Sequence, residues 1–310
     1  MIKKDIDWIA VGALITATMV WASSFIALKS AIGPIGPMSV IFGRMLLASL
    51  CFVFFIKSFL NLKFSKEDIK YIGLMVLFEP CLYFIFEAKA LELTSAGQAG
   101  MITSMMPLIT AVGAGILLKE IITKKVIIGS LLAVSGAIWL SLSSDADINA
   151  SNPLLGNFLE FCAMICGAGY AISIRRLSEK FSALFLTAIQ AFAGMIFFFP
   201  FALWEYNTID MVFTNESLLW VVYLGIIVTL GGYGLFNFAL GRMEASKASV
   251  YINLIPVFSV VLAYFILGEK LTFTGMIASA IILCGVFISQ MPAERIKQAH
   301  IRRKARKKRF

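Results

Sequence analysis

Glu79 is followed at once by Pro80, and Tyr83 and Glu87 come four and eight residues later, all in one apolar stretch. An ionisable side chain at bilayer depth is costly unless it is paired or faces a cavity, so each carboxyl in such a stretch is a candidate for binding chemistry. Residues at this spacing drift about 80° around a helix, so Glu79, Tyr83 and Glu87 can line one broad face. Two roles fit Glu79. It can bind a proton or the amine of a solute, or it can be a structural carboxyl, neutral or paired with Arg44. Arg44 lies inside an apolar segment too and needs a partner. Glu79, Glu87 and helix-end carbonyls are the candidates, in a structural or gating role. Glu160 is the second candidate for a binding carboxylate. Glu87 and Lys89 fall near the end of their segment, where a solvated rim or outer gate is expected. The expected polar lining adds Trp21, Ser24, Gln98, Thr103, Asn237 and Asn253, with Tyr170 and Tyr233 beside runs of glycine.

Catalysis and metal chemistry lack residues. The single histidine, His300, lies in a basic tail, and no nucleophile–base pair is apparent. Cys162 and Cys166 are one helical turn apart, but no histidine or further ligand accompanies them. The five cysteines all fall in apolar segments and read as small buried residues, not a disulfide framework. No enzyme activity, cofactor or metal is expected.

The elements that must position these residues are membrane spans. The 310-residue chain is 60% hydrophobic, only 15% charged, with a mean hydropathy of +0.89, and apolar runs of about 20 residues, enough to cross a bilayer, recur along it. The reading is an all-α polytopic membrane protein of ten spans. They run at about Trp8–Leu28, Met38–Lys57, Ile69–Ala90, Ala96–Leu118, Lys124–Leu142, Leu154–Ile174, Ser182–Trp204, Ser217–Ala239, Ser246–Leu267 and Phe273–Met291. The first is too long for a signal peptide and lacks a cleavage region. Only Asp145–Pro153 and Glu205–Glu216 are long enough to be loops. Pro80, Pro107 and Pro256 fall within spans, where each frees the carbonyl four residues earlier and acts as a hinge or a fixed kink.

Positive charge orients the chain. With the N-terminus in the cytoplasm, Lys57, Lys63, Lys66, Lys70, Lys119, Lys124, Lys125, Arg175, Arg176, Lys180, Arg242 and Lys247 are inside, and only Lys29, Lys89 and Lys270 are outside. The tail after Pro292 holds nine basic residues and Glu294; without it the net charge of +9 would be +1. It suits either anionic lipid headgroups or a topology anchor; with no nucleic-acid fold or aromatic platform, nucleic acid is a poor partner. The expected location is the plasma membrane, with both termini cytoplasmic. Pairing with a second copy is left open.

A shift of 149 residues aligns the two halves. Ala90-Leu91 falls on Ala239-Leu240, Ala96 and Ala99 on Ala245 and Ala248, Pro107 on Pro256, Glu120 on Glu269, Ser130 on Ser279 and Gly136 on Gly285. With small gaps upstream, Arg44 faces Gln190 and Phe25 faces Tyr170. The units are residues 1–149 and 150–291, followed by the tail at 292–310. Five spans per unit means that the second copy crosses the membrane the opposite way. Inverted repeats around a central cavity are a mark of secondary transporters, because two inverted halves can exchange conformations. Glu79, Pro80, Tyr83 and Glu87 align with Val228, Thr229, Gly232 and Phe236, so the charges break the symmetry.

Trp21-Ala-Ser-Ser-Phe25, Phe42-Gly-Arg44, Ala90-Leu91, Thr94-Ser95-Ala96, Pro107 and Lys119-Glu120, with Tyr233, Ala239-Leu240, Pro256 and Gly268-Glu269-Lys270-Leu271-Thr272, carry a resemblance. Together they resemble the drug/metabolite transporter superfamily in its EamA-type branch, from about Trp8 to Gln290. A carboxylate at Glu79 departs from the general pattern. The resemblance implies a carrier of small metabolites, often an exporter, with spans 1, 3, 4, 6, 8 and 9 around the cavity and spans 5 and 10 behind. The leading expectation is a secondary active exporter of amino-acid-like or amphipathic compounds that works by alternating access and can couple to protons. An uncoupled facilitator or channel is the near alternative.

Overall fold

The computed structural model describes residues 7–59, 62–117, 124–142, 150–242, 251–268 and 272–290. Glu120, Glu269 and the basic tail lie outside them. A backbone in hydrocarbon must satisfy its own N–H and C=O groups, and helices do this within one segment. All ten expected spans are represented by helix. Spans 1 and 2 are α1 (Trp8–Ile35) and α2 (Pro37–Val53). Span 3 is α3 (Lys66–Val76), a wide turn at Leu77–Leu82, and α4 (Tyr83–Leu93). Span 4 is α5 (Ala96–Ile102), a tight turn at Thr103–Met105, and α6 (Met106–Leu117). Next come α7 (Lys124–Leu142), α8 (Pro153–Leu177) and α9 (Ala183–Thr208). Span 8 repeats the plan of span 3, with α10 (Asn215–Val222), a wide turn at Tyr223–Gly232, and α11 (Tyr233–Leu240). Spans 9 and 10 are α12 (Ile255–Leu267) and α13 (Phe273–Gln290).

Local chemistry sets several ends. Ser65 and Asp68 form a reciprocal cap at the start of α3, and Ser95, Asn152 and Ser182 each accept a backbone N–H in the first turn of α5, α8 and α9. Two expected boundaries are corrected. Span 1 continues past Leu28 to Ile35 and stops at Gly36, whose φ of 96° favours glycine. The loop expected at Glu205–Glu216 shrinks, because α9 runs on to Thr208 and α10 begins at Asn215. The cause is Glu205, which is buried. Its carboxylate accepts from the backbone N–H of Met38 (3.1 Å) and Ser39 (2.8 Å) in the first turn of α2. A carboxylate at a helix N-terminus satisfies free donors and meets the positive end of the dipole.

The contacts between spans respect an exchange of the two halves. Spans 2 and 7, 4 and 9, and 5 and 10 pair with their own counterparts. Span 1 packs on spans 8 and 9, and its counterpart span 6 packs on spans 3 and 4. At the contact of α7 with α13, the two glycines matched by the repeat do the same work. A Cβ at Gly136 would lie 2.9 Å from the backbone nitrogen of Ile282, and one at Gly285 would lie 2.5 Å from that of Ala133. Large apolar side chains such as Ile196, Phe199, Phe265 and Phe287 are exposed, whereas Arg44, Glu79, Glu87, Glu160, Gln190 and Asn237 are buried. An apolar exterior around a polar interior suits lipid as the solvent.

Candidate functional site

The polar interior opens into a cavity between the halves, of ≈ 50 Å³ open to the centre of a water molecule, which is room for a few waters. Trp21, Ser24 and Phe25 of α1 line it, with Arg44 of α2, Glu79 of the wide turn, and Tyr83, Phe84 and Glu87 of α4. Thr103 and Met106 of span 4, Met164, Gly167 and Tyr170 of α8, Tyr233 and Phe236 of α11, and Ile252 and Ile255 of span 9 complete the wall. These are the six spans that the resemblance implies, plus span 2 through Arg44. Neither α7 nor α13 contributes.

Glu79 is placed by a break in its helix. Pro80 has no N–H to give, and the backbone leaves helical geometry one residue earlier, at φ −148° and ψ 118°, with a cis Glu79–Pro80 peptide. Helical bonding resumes when the N–H of Tyr83 reaches the carbonyl of Phe78, five residues back. Span 8 widens at the aligned place without a proline. There the N–H of Tyr233 reaches Val228, also five residues back, and the hydroxyl of Thr229 donates to the carbonyl of Leu224 at 2.9 Å. Such widened turns concentrate at functional sites. Each is followed at once by a tyrosine, and both hydroxyls donate to carboxylates of span 3: Tyr233 to Glu79, and Tyr83 to Glu87 at 3.0 Å.

Arg44 is buried and sits apart from the carboxylates. Among the described residues it makes no ion pair within 4.0 Å, so neither Glu79 nor Glu87 is its direct partner. Its Nε donates to Thr229 Oγ1 at 2.7 Å, and its guanidinium lies over the ring of Phe84, 4.4 Å from the centroid. The mirror of Pro80 thus holds the arginine of the other half. Glu87 also departs from expectation: it is buried and faces the cavity, while Lys89 is exposed and pairs with Glu92 at 2.8 Å.

The other expected site residues separate into groups. Trp21 packs against Tyr233 and Phe236, at ring distances of 5.0 and 4.7 Å, and its indole N–H is buried without a partner among the described residues. Tyr170 donates to Gln190 at 3.2 Å, while Asn237 donates to Thr187 at 2.9 Å and approaches the Tyr170 hydroxyl at 3.5 Å, a network joining spans 6, 7 and 8. Gln98 lies toward the face opposite the N-terminus, where Asn157 donates to it at 2.9 Å and accepts from Thr94 at 2.8 Å. Glu160, Gln98, Asn237 and Asn253 are not in the cavity wall. Pro107 follows the tight turn at Thr103–Met105, and Pro256 stands in the first turn of α12. Sequence reasoning missed Thr229 and Glu205. The alignment of Thr229 with Pro80 was a usable signal for the first, whereas Glu205 carried none beyond its charge at a span end.

Ion pairs tie the helix ends on the N-terminal face. Asp7 joins Arg242 at 2.7 Å, and Asp68 joins Lys180. The Arg242 side chain holds the Asp7 carboxyl below its usual pKa. Among the described residues no group of three or more metal-ligating side chains occurs.

Comparison with known proteins matches residues 8–142 and again 154–291 to the EamA-like transporter family. The chain is 30% identical over 215 residues to the Uncharacterized transporter YetK of Bacillus subtilis (strain 168), a match spanning 69% of this chain and 64% of that relative. It is 21% identical over 282 residues to a probable terminal-alkyne amino-acid exporter of Streptantibioticus cattleyicolor, spanning 90% and 92% of the two chains. A solved crystal structure shares the fold at a TM-score of 0.64 and 19% identity, covering 93% of this chain and 98% of its own.

Proposed function

The chain belongs to the EamA-like transporter family, and from that premise we propose that this multi-pass membrane transporter exports a small amine-bearing, amino-acid-like solute by alternating access. The observation that carries the reading is the pair of widened turns at aligned places in spans 3 and 8, flanking a buried cavity that holds Glu79, Glu87 and Arg44. Helices broken beside a midplane site are how inverted-repeat carriers hold a solute and rock around it. Glu79 accepts from Tyr233, and an ammonium group entering the cavity takes over that acceptor. Trp21, Tyr233 and Phe236 supply ring faces for the same cation. The Arg44 guanidinium uses only Nε among the described residues, so its remaining N–H groups suit the carboxylate of a zwitterion. The relative named as an amino-acid exporter supports this class.

A cavity of ≈ 50 Å³ must widen to take such a solute, and Tyr83 and Tyr233, each next to a widened turn, are the side chains that move. The two repeats, residues 1–149 and 150–291, act as the rocking units. We place the chain in the plasma membrane, where the positive charges favour cytoplasmic termini and put the basic tail near anionic headgroups.

Growth medium from cells with and without the chain, compared by mass spectrometry, identifies the exported compound. That compound is then followed in proteoliposomes with and without a pH gradient. Glu79→Gln is expected to abolish its movement while the protein folds at normal yield. Unchanged flux in that variant removes Glu79 from the mechanism, and flux indifferent to the gradient identifies a facilitator.

A further inference from the structure

Glu160 is wholly buried in α8, two turns from the start of that helix, and neither carboxyl oxygen has a hydrogen-bond partner among the described residues. It stands between two polar regions. One turn toward the N-terminal face, Met164 of the same helix lines the cavity. One turn the other way, Asn157 joins Thr94 and Gln98 below the opposite face. α4 packs along α8, with Gly167 against Tyr83 and Gly156 against Ala90 and Thr94, so the turn of α8 that carries Glu160 lies beside the stretch of α4 that holds Glu87. Two cations lie on the opposite-face side of Glu160: Lys89 of α4 is exposed and paired with Glu92, and Lys29 of α1 donates to the carbonyls of Leu91 and Thr94 beside Asn157; the other elements against α8 bring none to its depth. The wide turn carries Glu79 and Cys81; α5, α6 and the tight turn carry no ionisable residue; α3 and α7 have lysines only near the N-terminal face. An ionised carboxylate here would meet an uncompensated desolvation penalty, with repulsion from Glu87 added. A neutral carboxyl avoids both. Yet as a permanent neutral group it does nothing for packing that an apolar side chain would not do better.

We infer that Glu160 is a proton-exchange site distinct from the solute site at Glu79, protonated when α8 and α4 are packed as here and exchanging with water on the opposite face when they part. The inference rests on the alternating-access reading. The step is a proton transfer alone. The carboxyl O–H bond breaks, the proton passes to a water oxygen, and the hydrated carboxylate takes a proton back before the helices close. Opposite-face water reaches Glu160 by way of Asn157 and Gln98, which keeps the proton route off the cavity wall.

Infrared spectroscopy of the full chain in liposomes tests this with protons as the only probe. At neutral pH a protonated carboxyl gives a C=O band well separated from carboxylate bands. One such band is expected to be lost in Glu160→Gln, to move in frequency in Glu160→Asp, and to shift in the wild-type protein on transfer to D₂O. If neither substitution touches a carboxylic-acid band, Glu160 is ionised and the inference falls. If the band is assigned to Glu160 but does not shift in D₂O, the acid is sealed and structural, and the inference falls too. No solute is needed, so failure here leaves the export reading intact, and failure of the Glu79→Gln transport test leaves this band in place.

Discussion

Thr229 is the residue on which the buried arginine depends. Its hydroxyl accepts from Arg44 Nε at 2.7 Å and donates to Leu224 at 2.9 Å. Thr229→Val removes both bonds and leaves a charged donor unsatisfied, at a cost of about 1–3 kcal/mol, while Thr229→Ser is expected to be nearly silent. Melting midpoints in detergent separate the two. Tyr233→Phe takes from Glu79 its hydrogen-bond donor, and about 1 kcal/mol of stability is expected to go with it, read from the same curves. The Asp7–Arg242 pair contributes differently. Because Arg242 holds the Asp7 carboxyl below its usual pKa, its contribution is complete above the ordinary carboxylate range and lost as pH falls through the lowered value. Arg242→Gln should therefore leave the slope of melting midpoint against pH unchanged between about pH 5 and 8, and the pair is exposed enough for its loss to be small.

Spans 3 and 8 both widen at the aligned place but by different means, a non-helical Glu79 before proline in one and a continuous wide turn with a threonine hydroxyl and glycines in the other. What the repeat preserves at this level is where the helix opens. The α7–α13 contact preserves close approach instead. Gly285→Ala places a methyl 2.5 Å from the Ala133 nitrogen, where overpacking is expected to cost about 1–3 kcal/mol and to lower the yield of folded protein. The start of α2 is a third case. At Gly36, alanine would suffer the positive φ and meet Glu205 at 2.8 Å, so Gly36→Ala should destabilise more than Glu205→Gln, which keeps an acceptor oxygen. Chemical denaturation of both variants checks the order.

At the scale of the whole molecule, the contact pattern survives exchange of the halves while the charges do not. Scaffold symmetry suits two alternating shapes, and in the proposed export it is the asymmetric carboxylates of span 3 that select the solute. The proposed orientation has a direct check. In a background without the native cysteines, Asn215→Cys is expected to react with an impermeant thiol reagent applied outside intact cells, and Lys180→Cys only after lysis. The reverse pattern would invert the topology, placing the basic face outside and the proton route of Glu160 on the cytoplasmic side.

Ten spans, their order and the inverted repeat were legible from sequence, because hydropathy and a 149-residue shift are properties of the chain read along its length. So was Glu79 as a candidate, since a carboxyl amid apolar neighbours stands out before any folding, and it is buried in the cavity wall. Which groups meet was decided by the tertiary structure. Arg44 finds a hydroxyl and a ring instead of a carboxylate, Glu87 faces the cavity instead of a rim, and Glu205 reaches back 166 residues or more to cap α2. Helical spacing places residues on a face only while the helix is regular. At Glu79 it is not, and the rotation introduced by one widened turn, together with the crossing of distant spans, sets partners that no one-dimensional pattern records.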